Sequence, residues 1–270
     1  MASGALTFTK RQLREKEFYE QYASTFDFQR EINFTPVNGR EQRPWNSYWM
    51  IYHFVKAHYR SGARLLDFGS GPGENALRFS EIGYSVEGFD ICESNVQISQ
   101  TLFERYDRAS RGHFQVAAAE HLPYPDDHFD VIAGIDILHH VEIELALKEC
   151  RRVLRPKGVA IFREPVEVPY LDPIRNSWIV RAIAPKEMSI YHHITADERK
   201  LNQADLEVIK RIFPNSTLYH YLLLARLDRF YRRGSDSSPS WLERIDHVLM
   251  KYVPFLRIFS GAKIIVMKKH

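Results

Sequence analysis

The chain has 270 residues, 44% of them hydrophobic and 26% charged, with two cysteines and a net charge of +3. These values suit one large globular domain with a real core, and they exclude a disulfide framework. The small net charge makes no case for nucleic acid, and the longest apolar run, at 221–226, is far too short to span a bilayer. Residues 1–20 are too charged for a signal peptide, so a soluble, cytoplasmic protein is expected.

Residues 10–60 read as helical and aromatic, an N-terminal lid over 1–60 set against a main domain over 61–270. Pro44 is placed to open the second helix of this segment. Strand and helix signals then alternate. Residues 63–68 read as a buried strand, 74–82 as a helix that Gly83 ends, and 84–90 as a second strand closing on an acid. A helix over 95–109, a strand over 113–119, a strand over 128–138 and a helix over 144–154 follow. Residues 156–158 (PKG) read as a tight turn into a fifth strand at 159–164. Strands separated by helices of this length predict a parallel sheet covered on both faces, the doubly wound α/β class. Residues 165–202 read as a loop-rich insert, 203–213 as helix and 216–225 as strand. A second insert, near 228–260, carries a helix with Trp241, Leu242, Ile245, Val248, Leu249 and Tyr252 on one stripe. Residues 262–268 close the chain as a last strand.

The first turn, in LLDFGSGPGENALRF (65–79), has glycine at 69, 71 and 73. Bare backbone there lets a ligand approach, and the helix that follows offers N–H donors. Glu74 stands where a dinucleotide fingerprint has its third glycine, which counts against NAD or FAD. Asp90, closing the second strand, is placed to accept hydrogen bonds from ribose hydroxyls.

These residues, with AAAEHLPYPDDHFDVIAGIDILHHV (117–141) and RRVLRPKGVAIF (151–162), resemble the class I S-adenosylmethionine-dependent methyltransferases. The likeness is to the small-molecule branch that includes the ubiquinone and menaquinone biosynthesis enzymes. The resemblance implies a Rossmann-like seven-stranded sheet with its last strand antiparallel, and S-adenosyl-L-methionine as cofactor. Residue by residue it implies Asp67 near the methionine amino group, Gly69, Ser70 and Gly71 along the methionine and ribose, and Asp90 on the ribose hydroxyls. It also implies Ile91 on the adenine, Ala119 and Glu120 beside it, and Ile135 with Asp136 ending the fourth strand under the sulfonium. The family's acid on the adenine amino group is replaced here by Ala118, so Ala118→Asp is expected to tighten cofactor binding.

Methyl transfer asks the protein to align the acceptor, exclude water and, where needed, remove a proton. Base candidates are His139 and His140 after the fourth strand, Glu164 ending the fifth, and His192 with His193 in the insert. Each also has a plain structural role open to it, as pocket wall, cap or loop polar group. His140 is the preferred base. No pair has metal-ligand spacing with a third ligand nearby, so no metal site is expected.

Phe18, Tyr19 and Tyr22 stand where relatives close a lid over the cofactor, though a helical core stripe explains them equally. From residue 221 onward there are ten Lys or Arg against four Asp or Glu, interleaved with aromatics. That pattern suits a lipid-like or anionic acceptor or a peripheral membrane contact, and equally a solvated face over a core helix. The functional expectation is methyl transfer to oxygen or carbon of a small, hydrophobic organic acceptor. Two alternatives stay open: an RNA (wobble-uridine-like) methyltransferase, and a cofactor-binding protein without transferase activity.

Overall fold

Apolar runs bounded by glycine or an acid become the strands of one sheet. The computed structural model describes residues 8–168, 199–228 and 240–270. Its first five strands are β1 (Arg64–Phe68), β2 (Ser85–Asp90), β3 (Gly112–Val116), β4 (Phe129–Ile135) and β5 (Leu154–Pro165). The remaining two are β6 (Ser216–Tyr221) and β7 (Ala262–Lys268). They lie in the order β3-β2-β1-β4-β5-β7-β6. β1 to β5 are parallel, and β7 runs antiparallel to both β5 and β6. Leu65, Leu66 and Phe68 are all fully buried, because helices cover both faces. One face carries α3 (Ser47–Ala57), α4 (Glu74–Ile82) and α5 (Glu93–Arg105), and the other carries α6 (Ile143–Val153) and α7 (Gln203–Ile212). α6 shows why: Ile143, Ala146, Leu147, Cys150 and Val153 form one apolar stripe and all are buried.

Two N-terminal helices, α1 (Lys10–Ala23) and the short α2 (Thr35–Asn38), precede α3. Ile51 and Val55 of α3 are fully buried in the core of its face. That helix, expected within the covering segment, is therefore a layer of the fold. It starts at Ser47, not at Pro44, because the Asn46 side chain accepts the Trp49 N–H at 3.1 Å and caps it.

Other boundaries move for local reasons. β3 stops at Val116, and residues 117–119 leave the sheet for a turn closed by an Ala118–His121 bridge. β5 begins directly after α6, and the expected turn survives inside it as an irregularity, where Lys157 takes φ 64° and the register jumps. β6 ends at Tyr221, because the next residues turn around one buried carboxylate. Asp246, on α8 (Trp241–Tyr252), accepts the N–H groups of Leu223, Leu224 and Ala225 at 2.7, 2.7 and 2.9 Å. His192 and His193, Arg229, Arg232 and Arg233, and most of the insert at 165–202 lie outside the described residues.

Candidate active site

The strand order reverses between β1 and β4, and a cavity of about 240 Å³ opens there at the carboxyl ends of the strands. The glycine turn forms its floor. Gly69 has φ 72°, and a Cβ on it would meet Ile137 at 2.5 Å. Gly71 has φ 50° with open space where its Cβ would stand, so a ligand can approach bare backbone. Asp90 ties this turn to the next helix. It accepts the Gly71 N–H and the Cys92 N–H at 2.9 Å each, and the Asn95 amide at 3.2 Å.

Asp67 lies beneath the turn, 2% exposed, with its Oδ2 unpartnered. Burial pushes its carboxyl up to about 8, and the Asp90 charge adds to the shift. Because the folded value lies above the ordinary 3.8, this group favours folding at low pH, and that contribution is lost as pH rises through about 8. A cation binding beside it requires the ionised form. At neutral pH, binding of S-adenosylmethionine should therefore release about one proton, read by calorimetry in buffers of different ionisation enthalpy. Asp67→Asn should abolish the release; an unchanged release in that variant would remove Asp67 from the site.

Gly69, Ser70, Gly71, Asp90, Ile91, Glu120 and Ile135 all line the cavity, and Asp67 lies behind the lining residues. Ala119 does not. It is 4% exposed and packs into the core with Leu122, and Ala117 takes the place on the wall. Ala118 is likewise buried and off the wall, which reverses the expectation for Ala118→Asp. A carboxylate there loses water without gaining the cofactor. The variant should unfold about 1–3 kcal/mol more easily, with no tighter binding by calorimetry.

The base candidates separate in the same way. Glu164 is fully buried, and its Oε1 accepts the N–H groups of Ile137 and Leu138 at 2.9 and 2.8 Å. Its Oε2 meets His139 Nδ1 at 2.7 Å. This carboxylate holds the turn after β4, and with His139 it faces the interior, away from the cavity wall. His140 does line the cavity. Its Nε2 lies 3.2 Å from the Tyr19 hydroxyl, and its Nδ1 lies 3.3 Å from Glu15 Oε2, an ion-pair distance without hydrogen-bond alignment.

Gln12, Glu15, Tyr19 and Tyr22 of α1 reach the cavity from above. Gln12 donates to Glu120 Oε2 at 2.8 Å, and Glu20 accepts the Glu93 N–H at 2.9 Å at the start of α5. Gln12 and Glu15 went unread in the sequence. Their signal was there: 12, 15, 19 and 22 recur every three or four residues, one face of a helix that the aromatics already marked.

At the far end of β4, Asp136 adopts φ 55°. It is paired with Arg163 of β5, and the Tyr48 hydroxyl donates to it at 2.7 Å. Glu74, where a dinucleotide turn wants glycine, pairs with Arg30 and with Arg78. The cavity lining includes Glu15, Asp90, Glu120 and Asp136, and no Lys or Arg among the described residues. Such walls disfavour a pyrophosphate and favour a cation.

Residues 66–162 match the family described as the methyltransferase domain. The seven-stranded sheet with its antiparallel last strand is the one the resemblance implied, and solved methyltransferases share this fold, so the resemblance carried by the motifs holds. The chain is 39% identical over 101 residues to the 27-O-demethylrifamycin SV methyltransferase of Amycolatopsis mediterranei, covering 37% of each chain. It is 29% identical over 163 residues to a ubiquinone/menaquinone biosynthesis C-methyltransferase of Vibrio campbellii, covering 58% of this chain and 59% of that one. The chain thus spans 37% and 59% of the length of these two relatives. In fold it is similar to phosphoethanolamine N-methyltransferase 2 of Haemonchus contortus, solved with S-adenosyl-L-methionine, with TM-score 0.59 and 14% identity over 98% of this chain and 60% of that one.

Proposed function

We propose that this protein transfers the methyl group of S-adenosylmethionine to oxygen or carbon of a small, hydrophobic organic acceptor. The observation that carries the reading is the acid-lined cavity at the switch point, without Lys or Arg among its described lining residues. The residues fit the cofactor. Asp67, whose carboxylate accepts the Ala76 N–H, keeps a buried Oδ2 without a partner for the amino group, Asp90 stands beside the turn for the ribose hydroxyls, and Gly71 leaves the backbone open. Ile91 and Ile135 supply apolar walls, and Glu120 stands at the adenine side. When bound, the cofactor supplies an electrophilic methyl group on a sulfonium.

The chain's own work is then to align, dry and deprotonate. α1 acts as the lid: Gln12, Glu15, Tyr19 and Tyr22 line the cavity, whose volume of about 240 Å³ is below the roughly 300–1,000 Å³ usual for ligand sites. His140 Nε2, now facing the Tyr19 hydroxyl, is placed to take a proton from an acceptor that displaces that hydroxyl. Glu15 places a carboxylate 3.3 Å behind Nδ1, on the side of the ring away from the Tyr19 hydroxyl. Phe89, Ile137 and Val141 give the remaining wall an apolar character. The names of the relatives, a demethylrifamycin methyltransferase and a quinone-biosynthesis C-methyltransferase, support an apolar acceptor and leave both oxygen and carbon open.

The test is to incubate the protein with methyl-labelled cofactor and fractionated cell extract. Label entering a small apolar molecule supports the reading. Label confined to RNA and lost after RNase treatment overturns it, and so does tight cofactor binding with no transfer to any fraction.

A further inference from the structure

The apolar stripe read from the sequence of α8 divides in the structure. Leu242 and Met250 are buried with Asp246, whose carboxylate is committed to the turn at 223–225. Trp241, Ile245, Val248 and Tyr252 recur at helical spacing on the outer side, and all four are exposed. A 3₁₀ turn, Pro254–Phe259, prolongs this surface with exposed Phe255 and Ile258. These six side chains are 38% to 72% exposed, and they are six of the fifteen exposed large hydrophobic residues among the described ones. The helix already has a buried face, so folding does not require the outer one to be apolar.

The exposed charges that α8 and the turn after it themselves carry are positive, with the Glu41 carboxylate of the N-terminal segment near Arg244. Exposed Arg244, Lys251 and Arg257 flank it. The two carboxylates of the helix are turned elsewhere: Asp246 inward, and Glu243 onto the Asn46 amide at 2.8 Å. A neighbouring cleft of about 460 Å³ is lined by Lys251 and Arg257, with no carboxylate among its described lining residues. An amphipathic helix with Trp and Tyr on its apolar face, framed by Lys and Arg, is the pattern of an element lying in a bilayer interface. No helix of the described residues is long and apolar enough to cross a membrane.

Position adds an argument. β7 starts at Ala262, which pairs with Pro165 at the carboxyl end of β5. The stretch 241–259 therefore leads to the same edge of the sheet that carries the cavity.

We propose that α8 and the turn after it dock this protein on an anionic lipid surface. The contact is peripheral, with the aromatic face in the headgroup region and the cations on lipid phosphates. It does not depend on what the cavity does.

The test is co-sedimentation of the full chain with phosphatidylcholine vesicles, with and without phosphatidylglycerol, at low and high salt. The protein should pellet with anionic vesicles, far less with neutral ones, and be released as salt rises. Trp241→Ser/Tyr252→Ser/Phe255→Ser should weaken vesicle binding about tenfold or more, and Arg244→Gln/Lys251→Gln should remove the preference for anionic lipid. Cofactor affinity, measured in parallel, should be unchanged in both variants, which keeps this result separate from that of the cavity. Absence of pelleting by the wild type at low salt overturns the proposal, as does a triple variant that pellets equally well. A wild-type dimer that ignores vesicles and becomes monomeric in the triple variant assigns the face to a second copy and overturns it too.

Discussion

Asp90→Ala is expected to weaken S-adenosylmethionine binding by about 1.5–3 kcal/mol, roughly 10- to 160-fold, by removing a charged acceptor from the ribose hydroxyls. The structure adds a second cost. Asp90 accepts two backbone N–H groups and one side-chain amide, so the variant leaves the glycine turn and the start of α5 with buried donors unpaired. Stability should fall by a further 1–3 kcal/mol or about that, read as a lower unfolding midpoint. Calorimetry on the folded variant separates the two effects. Unchanged affinity would remove Asp90 from the ribose and leave it a structural tie. NAD should not bind the wild type, because the acidic lining repels a pyrophosphate.

His140→Phe should lower kcat by about 10²- to 10⁴-fold, the usual worth of a positioned general base, with cofactor affinity nearly intact. Glu15→Gln should have a smaller effect on kcat and should shift the pH profile of kcat, because the charge behind the imidazole is lost while the shape is kept. A purely structural Glu15 would leave that profile where it was. Both are measured with the acceptor found by methyl labelling. Wild-type turnover by His140→Phe would mean that positioning alone carries the reaction, as it can for acidic acceptors.

The fold was largely legible because its signals are local. Strand runs such as Leu65–Leu66 are apolar on both sides, which only a doubly covered sheet explains, and the helix at 74–82 is fixed by glycine at both ends. The glycine turn that floors the cavity was legible too, since its residues stand at fixed offsets from a strand end. What failed depends on direction. Ala119 and Ala117 differ by two positions, and where the chain leaves β3 decides which one faces the cavity. Glu164 and His139 have the residue types of catalysis, yet two backbone N–H groups need that carboxylate and draw it inward.

Alone, the sequence determined the succession of strands and helices, the glycine turn and the acid closing β2. These follow from backbone preference and periodicity, which act over a few residues and need no partner. Only the tertiary structure decided which of two adjacent histidines meets the cavity, and that Glu15, more than a hundred residues away in sequence, stands behind it. It also decided that of the α8 stripe only Leu242 is buried, with Met250 from outside the stripe beside it in the core. The buried carboxylate of Asp246 must satisfy the turn at 223–225, and that requirement rotates Trp241, Ile245, Val248 and Tyr252 outward. Hydrogen-bond demand from distant backbone is invisible to periodicity, and here it sets which faces of the molecule are left to meet its partners.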